Sequence, residues 1–409
     1  MRRFLKYANR CLINASCVFS CSPSAKEGPQ ILVDVSVYIE HDAETGIQRT
    51  TRSLLEALKK KAPAPWRVEP IYLDDKGIYR YAHSLLYKNP LEKLFCIGKP
   101  VAWQPKDIFL GLDSSTYSVI RFPSVYADLK NRRIRLFFVV YDLLCIHHPE
   151  WFLDNFNQDF IEWLHQILSL GDGILCISRT IAEDLAAWIQ KENLPQNDAF
   201  KIHWFHLGAD LKNHDASAPS KSAFSSKVNH LIANAHHQPI ILSVGTAEPR
   251  KGYRQALTAF EILWAQNKPF RWVIVGKKGW KMDDWAEKVM AHPRLNQQLF
   301  WETNISDAEL LTLYQDSSGL LMTSEGEGFG LPLIEAAQNG LPVLARDIPV
   351  FREVLGENAS YFSGDDPQVL ADAIENWINH LSSCPLSTPL SWQTWEDSAE
   401  QCLKILLTP

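Results

Sequence analysis

The chain has 409 residues, for which two domains of roughly 200 residues each are the natural expectation. Its 41 basic and 47 acidic residues leave a net charge of −6 with no strong block of either sign, which argues against nucleic acid as the main partner. Eight cysteines without a C-x-x-C pair give neither a zinc site nor a disulfide framework and suit a reducing compartment, and no window reaches the ~18 apolar residues of a membrane span.

The first 30 residues open on Arg2, Arg3, Lys6 and Arg10, with an apolar stretch interrupted by Asn9 and Asn14. They read as a basic tail, disordered or docked on a surface, not as a secretory signal. Residues 31–210 then alternate short apolar runs with helical stretches, the pattern of a parallel sheet covered on both faces. Strands are expected at Ile31–Ile39, Trp66–Leu73, Asp107–Leu112, Ile134–Asp142, Gly173–Ser178 and Lys201–Leu207, and a helix at Gly46–Ala62 with lysines in its last turns, where cations suit the dipole. Residues 211–238 turn polar and read as a linker followed by a helix. A second alternation, 239–390, has strands at Pro239–Gly245, Arg271–Gly276, Gln297–Glu302, Gly319–Ser324, Pro342–Ala345 and Ala359–Phe362.

Four segments carry candidate chemistry. Asp34–Arg49 runs from a strand through a polar loop into a helix at Gly46, an anion-binding arrangement in which Arg49 either reaches toward phosphate or pairs on the helix surface. Val139–Phe152 puts Tyr141, Asp142, His147 and His148 at a strand end, where sites concentrate in such sheets. Val244–Tyr253 puts Thr246, Arg250 and Lys251 in a strand-to-helix turn. Glu325–Pro342, "EGEGFGLPLIEAAQNGLP", joins a strand to a short helix with Pro332 near its start and Gly340 past its end. Glycines at a helix start let an anion approach free N–H groups, while Glu327 and Glu335 suit the hydroxyls of a sugar or ribose. A ligand with phosphates in its middle and polyols at both ends, a nucleotide-sugar, satisfies both.

Glu327 and Glu335, with "GFGLPLI" between them and "AAQNGLPVLA" after, closely resemble the signature of the family 4 retaining glycosyltransferases (glycosyltransferase group 1, mannosyltransferase-like). "EPRKG" is similar to the segment with which that family clamps the donor diphosphate. The resemblance implies an α/β GT-B fold, two Rossmann-like domains facing across a cleft, with the donor on the second, the acceptor on the first, and residues 391–409 as a helix closing toward the first. It implies catalytic roles for Glu327, Arg250 and Lys251, and donor contacts from Gly46, Thr246, Gly328, Phe329, Gly330, Leu331 and Glu335, the last holding the ribose. The acceptor side falls to Tyr141, Asp142 and His148. Where relatives often have His-Asp this chain has Tyr141-Asp142, it has Thr246 where many have arginine, and its first glycine loop reads Thr45-Gly46-Ile47.

The implied reaction moves a hexose, mannose favoured, from a GDP- or UDP-linked donor to a hydroxyl of a growing, lipid-linked surface polysaccharide, with retention and without an obligatory metal or cofactor. A nucleotide-sugar epimerase and a non-catalytic nucleotide-sugar or glycan-binding module are the alternatives. The expected setting is cytoplasmic, peripheral at the inner face of the membrane, with the basic tail resting on anionic lipid.

Overall fold

The structure is a computed structural model, described over residues 28–40, 46–82, 98–113, 115–197, 200–210, 228, 231, 238–381 and 393–408. The expected tail, but for its last residues, and most of the expected linker lie outside the described residues.

The first sheet has the order β3-β2-β1-β4-β5-β6-β7. Its strands are β1 (Gln30–Asp34), β2 (Arg67–Leu73), β3 (Tyr79–Tyr81), β4 (Ile108–Gly111), β5 (Arg135–Val140), β6 (Gly173–Cys176) and β7 (Lys201–Trp204). All pairs are parallel except β2 with β3. The central strands are continuous apolar runs because helices cover both faces of a parallel sheet; Ile31, Leu32 and Val33 are fully buried.

Two details depart from the expectation. The run to Ile39 does not stay extended: the Asp34 carboxylate accepts the Ser36 amide at 3.0 Å, the Ser36 hydroxyl accepts the Leu73 amide at 2.9 Å, and a short helix, Ser36–Glu40, follows. These side-chain bonds replace the ladder and end the strand. The antiparallel β3 gave no signal, being three residues long.

The second sheet is parallel throughout, in the order β10-β9-β8-β11-β12-β13. It comprises β8 (Ile240–Val244), β9 (Arg271–Val275), β10 (Leu299–Glu302), β11 (Gly319–Met322), β12 (Val343–Arg346) and β13 (Ser360–Phe362). In both sheets the winding direction reverses beside the first strand, at β1/β4 and β8/β11, where doubly wound sheets open a crevice at their carboxyl ends. Val228 and Leu231, within the stretch expected as linker, are buried in the second sheet's core.

The helix Trp395–Leu407 crosses back to the first half. Trp395, Ala399, Cys402 and Leu406 join Leu54 and Leu58 of the helix Gly46–Lys61 in one core cluster, and Lys61 pairs with Glu400 at 2.7 Å. A capping box of Thr394 and Asp397 starts this helix, and Asp210 accepts the Trp395 amide at 2.7 Å.

Candidate active site

The turn after β8 and the loop after β11 lie side by side at the second sheet's switch point. Gly252 has φ 66°, and a Cβ there would stand 2.2 Å from the Thr323 carbonyl oxygen, so only glycine lets the two segments meet. The Glu325 amide donates to the Arg250 carbonyl at 2.7 Å and the Thr323 hydroxyl to the Lys251 carbonyl at 2.7 Å. Both cations therefore stand on a fixed backbone.

Their side chains meet at Glu327. Arg250 Nη1 donates to its Oε2 at 2.6 Å, Lys251 Nζ and the Ser324 hydroxyl share its Oε1, the hydroxyl at 2.9 Å, and Arg250 Nε reaches Glu248 at 2.9 Å. Burial pushes the Glu327 carboxyl up, but Arg250 and then Lys251 outweigh it and bring it down to about 2. Burial pushes the Lys251 ammonium down, as does Arg250, against the pull of Glu327; Arg250 is raised, its carboxylate neighbours outweighing burial. Two acids here balance two cations in a water-poor site, where charge is costly unless paired.

The first domain supplies the opposite wall. A Cβ on Gly328 would stand 2.1 Å from the Tyr141 carbonyl oxygen, and the Gly328 carbonyl accepts the Ser178 hydroxyl at 2.9 Å. Phe329 is buried with Ile177 and Ile334, its ring 5.6 Å from that of His206, so its side chain is core. Gly330, with φ 97°, caps the helix Leu331–Gln338, in which Pro332 carries no N–H and the Leu333 amide donates to the Gly330 carbonyl at 2.9 Å. Thr246 follows β8 at the edge of this crevice.

Asp142 lies near enough to Arg250 for that guanidinium to lower its carboxyl, although burial, the larger effect, raises it overall. The Tyr141 hydroxyl donates to the Leu112 carbonyl at 2.8 Å, within the first domain. His148 stacks on Trp151 at 3.9 Å between ring centres and pairs with Glu150, while His147 pairs with Asp184. Gly46 is exposed at the start of its helix with open space around it.

Glu335 is 2% exposed and accepts both the Tyr314 hydroxyl and Arg49 Nη1, each at 2.7 Å. Arg49, expected to reach toward phosphate or to pair on its own helix surface, here crosses to the other domain.

Several participants were missed. Glu248 and Ser324 flank the motif, and the buried Arg346 at the end of β12 holds the Thr323 carbonyl at 3.1 Å and the Gly364 carbonyl at 2.9 Å. An arginine closing an apolar strand, "PVLAR", was the available signal. Glu353 accepts the Arg179 and Thr180 amides at 2.8 and 2.7 Å and His206 at 2.6 Å, a clamp between domains that no local pattern announces. Among the described residues no group of three or more His, Cys, Asp or Glu side chains is arranged to hold a metal ion, and no helix is long and apolar enough to cross a membrane.

Two Rossmann-like domains meeting over a switch-point cation cluster define the GT-B class of glycosyltransferase. The fold is that of HepE of Anabaena, solved in complex with UDP-glucose, with a TM-score of 0.59 at 14% identity over 92% of this chain and 95% of that one. Residues 230–384 match Glycosyl transferases group 1. The chain is 42% identical over 385 residues, 92% of its own length, to the serotype-specific mannosyltransferase WbdA of Escherichia coli. It is 29% identical over 251 residues, 61% of each chain, to the O-antigen chain mannosyltransferase RfbU of Salmonella typhimurium. The chain spans about half the length of the WbdA relatives, 46% of the one just given.

Proposed function

We propose that the protein is a retaining hexosyltransferase, mannose favoured, that carries a sugar from a GDP- or UDP-linked donor to a hydroxyl of a growing surface polysaccharide of the O-antigen kind. The observation that carries this reading is the Arg250, Glu327 and Lys251 cluster at the crevice of the second sheet, beside Asp142 of the first. The names of WbdA and RfbU supply the mannosyl preference and the glycan acceptor; the epimerase and binding-module alternatives find no support in them.

In this reading the donor diphosphate takes over Arg250 and Lys251 from Glu248 and Glu327, aided by the main-chain N–H groups of Phe329, Gly330 and Leu331. Both cations then stabilise the charge that grows on the leaving nucleoside diphosphate, with no metal needed. Glu327, released from the cations, accepts hydroxyls of the transferred sugar. Arg250 and Lys251, which hold the carboxyl at about 2 against its burial, deliver it ionised, and an ionised carboxylate is an acceptor only, which suits positioning. The family's front-face route follows, in which the leaving phosphate helps take the acceptor proton and the sugar–oxygen bond to the acceptor forms on the face the diphosphate leaves. Tyr141, Asp142 and His148 stand on the acceptor side. The setting is cytoplasmic, with the basic tail on anionic lipid.

The test is a panel of GDP- and UDP-hexoses offered with a lipid-linked oligosaccharide acceptor. Acceptor-dependent release of nucleoside diphosphate, and a product with the donor's anomeric configuration, are expected; release without a new glycoside overturns the reading. Deleting residues 1–24 tests the membrane assignment separately: sedimentation with anionic vesicles falls while transfer to a soluble acceptor persists.

A further inference from the structure

Glu335 is a nearly fully buried carboxylate whose counter-charge comes from the other domain. Tyr314, itself buried, donates to Oε2, and Arg49 donates to Oε1. Asn339 reaches only the Glu335 main-chain carbonyl, at 2.8 Å. Taking a carboxylate out of water costs several kcal/mol, and one neutral hydroxyl compensates little of that. An interdomain strut needs no such burial, since an exposed acid would bridge the domains as well.

Arg49 is suited to the task. It lies in the first turn of the helix Gly46–Lys61, between Gln48 and Thr50, both buried, and that helix is held from behind by Trp395–Leu407. Its backbone is therefore fixed while its side chain, 30% exposed, reaches across the crevice. Two donors on two oxygens fix the plane of the carboxylate. Each oxygen keeps a second lone-pair site, so a pair of vicinal hydroxyls can still be accepted.

We infer that Arg49 is a positioning residue, which orients Glu335 for the ribose of the donor and thereby sets the preference for a ribonucleotide. The inference rests on the donor reading proposed above. It assigns the first domain a part in choosing the nucleotide, which the second domain binds. Without Arg49, Glu335 keeps a single anchor, swings about it, and no longer offers two hydroxyl acceptors in a set plane.

The test is calorimetry on the full chain with GDP, UDP and their 2′,3′-dideoxy counterparts, comparing Arg49→Ala, Arg49→Lys and Glu335→Gln with the parent. A site built to accept hydroxyls rejects the analogue lacking them, so the parent should bind the preferred ribonucleotide at least about tenfold more tightly than its dideoxy form. In Arg49→Ala that ratio should fall to within about twofold, through weaker ribonucleotide binding and nearly unchanged dideoxy binding, with Arg49→Lys in between. A ratio in Arg49→Ala equal to the parent's overturns the inference and leaves the donor reading standing. A parent ratio near one overturns the ribose role of Glu335, and the inference with it. Thermal melts that coincide for parent and variants separate both outcomes from misfolding.

Discussion

Lys251 and Arg250 divide one carboxylate between them, and this sharing makes them separable by mutation. In Lys251→Ala, Glu327 keeps Arg250 and Ser324, so the fold should survive while nucleoside diphosphate affinity falls by about ten- to a hundredfold, the worth of one charge-assisted contact; unchanged affinity in calorimetry would remove Lys251 from the donor site. Asp34, at the end of β1, behaves differently. Burial raises its carboxyl, the Ser36 hydrogen bonds oppose this, and the result is about 6. Between about pH 4 and pH 6 the folded protein thus holds a proton that the unfolded chain has released, and stability falls as pH rises through that window, by on the order of 3 kcal/mol. Asp34→Asn keeps acceptors for Ser36 and lets the Tyr79 and Tyr126 hydroxyls reverse their bond. Its denaturation midpoint should match the parent's near pH 4 and exceed it above pH 6; a gap that shrinks with pH would refute the account.

The loop Glu325–Gly330 shows at the scale of an element how sequence and structure divide the information. Its glycines, its two acids and its place between strand and helix were legible, because each depends on residues close in the chain. The same holds for the twelve expected strands, whose buried runs reflect only the double cover of a parallel sheet. What Gly328 is for was not legible, since the atom that forbids a side chain there belongs to Tyr141 in the other domain. Nor was the mutual neutralisation of Arg250 and Glu327, 77 positions apart. Gly328→Ala should therefore wedge the domains apart, costing about 1–3 kcal/mol as overpacking does, raising the radius of gyration in solution scattering and lowering transfer at least tenfold by about the same energy. Normal scattering together with normal transfer would show that the loop yields without cost.

Over the whole molecule, the proposed donor site would neutralise a diphosphate with the protein's own charge, from Arg250 and Lys251 beside the start of the helix Leu331–Gln338. Chelator should accordingly leave transfer within about twofold of its starting rate, and loss with EDTA that magnesium restores would mean that the cations do not suffice. The two-domain plan was readable from alternating patterns and the closing helix from the family resemblance; the clamp of Glu353 on Arg179, Thr180 and His206 was not, because it joins residues 147 or more positions apart. The closing helix has a further consequence for biosynthesis. Trp395 fills the first domain's core, and it packs so closely that a Cβ on Gly208 would stand 2.2 Å from its amide nitrogen. The ribosome releases residues 28–210 long before it makes residues 393–408, and until then the half-built domain carries an uncovered apolar trough. Folding cannot finish domain by domain as the chain emerges. The first domain waits, open to chaperones, for the helix Trp395–Leu407 to be translated.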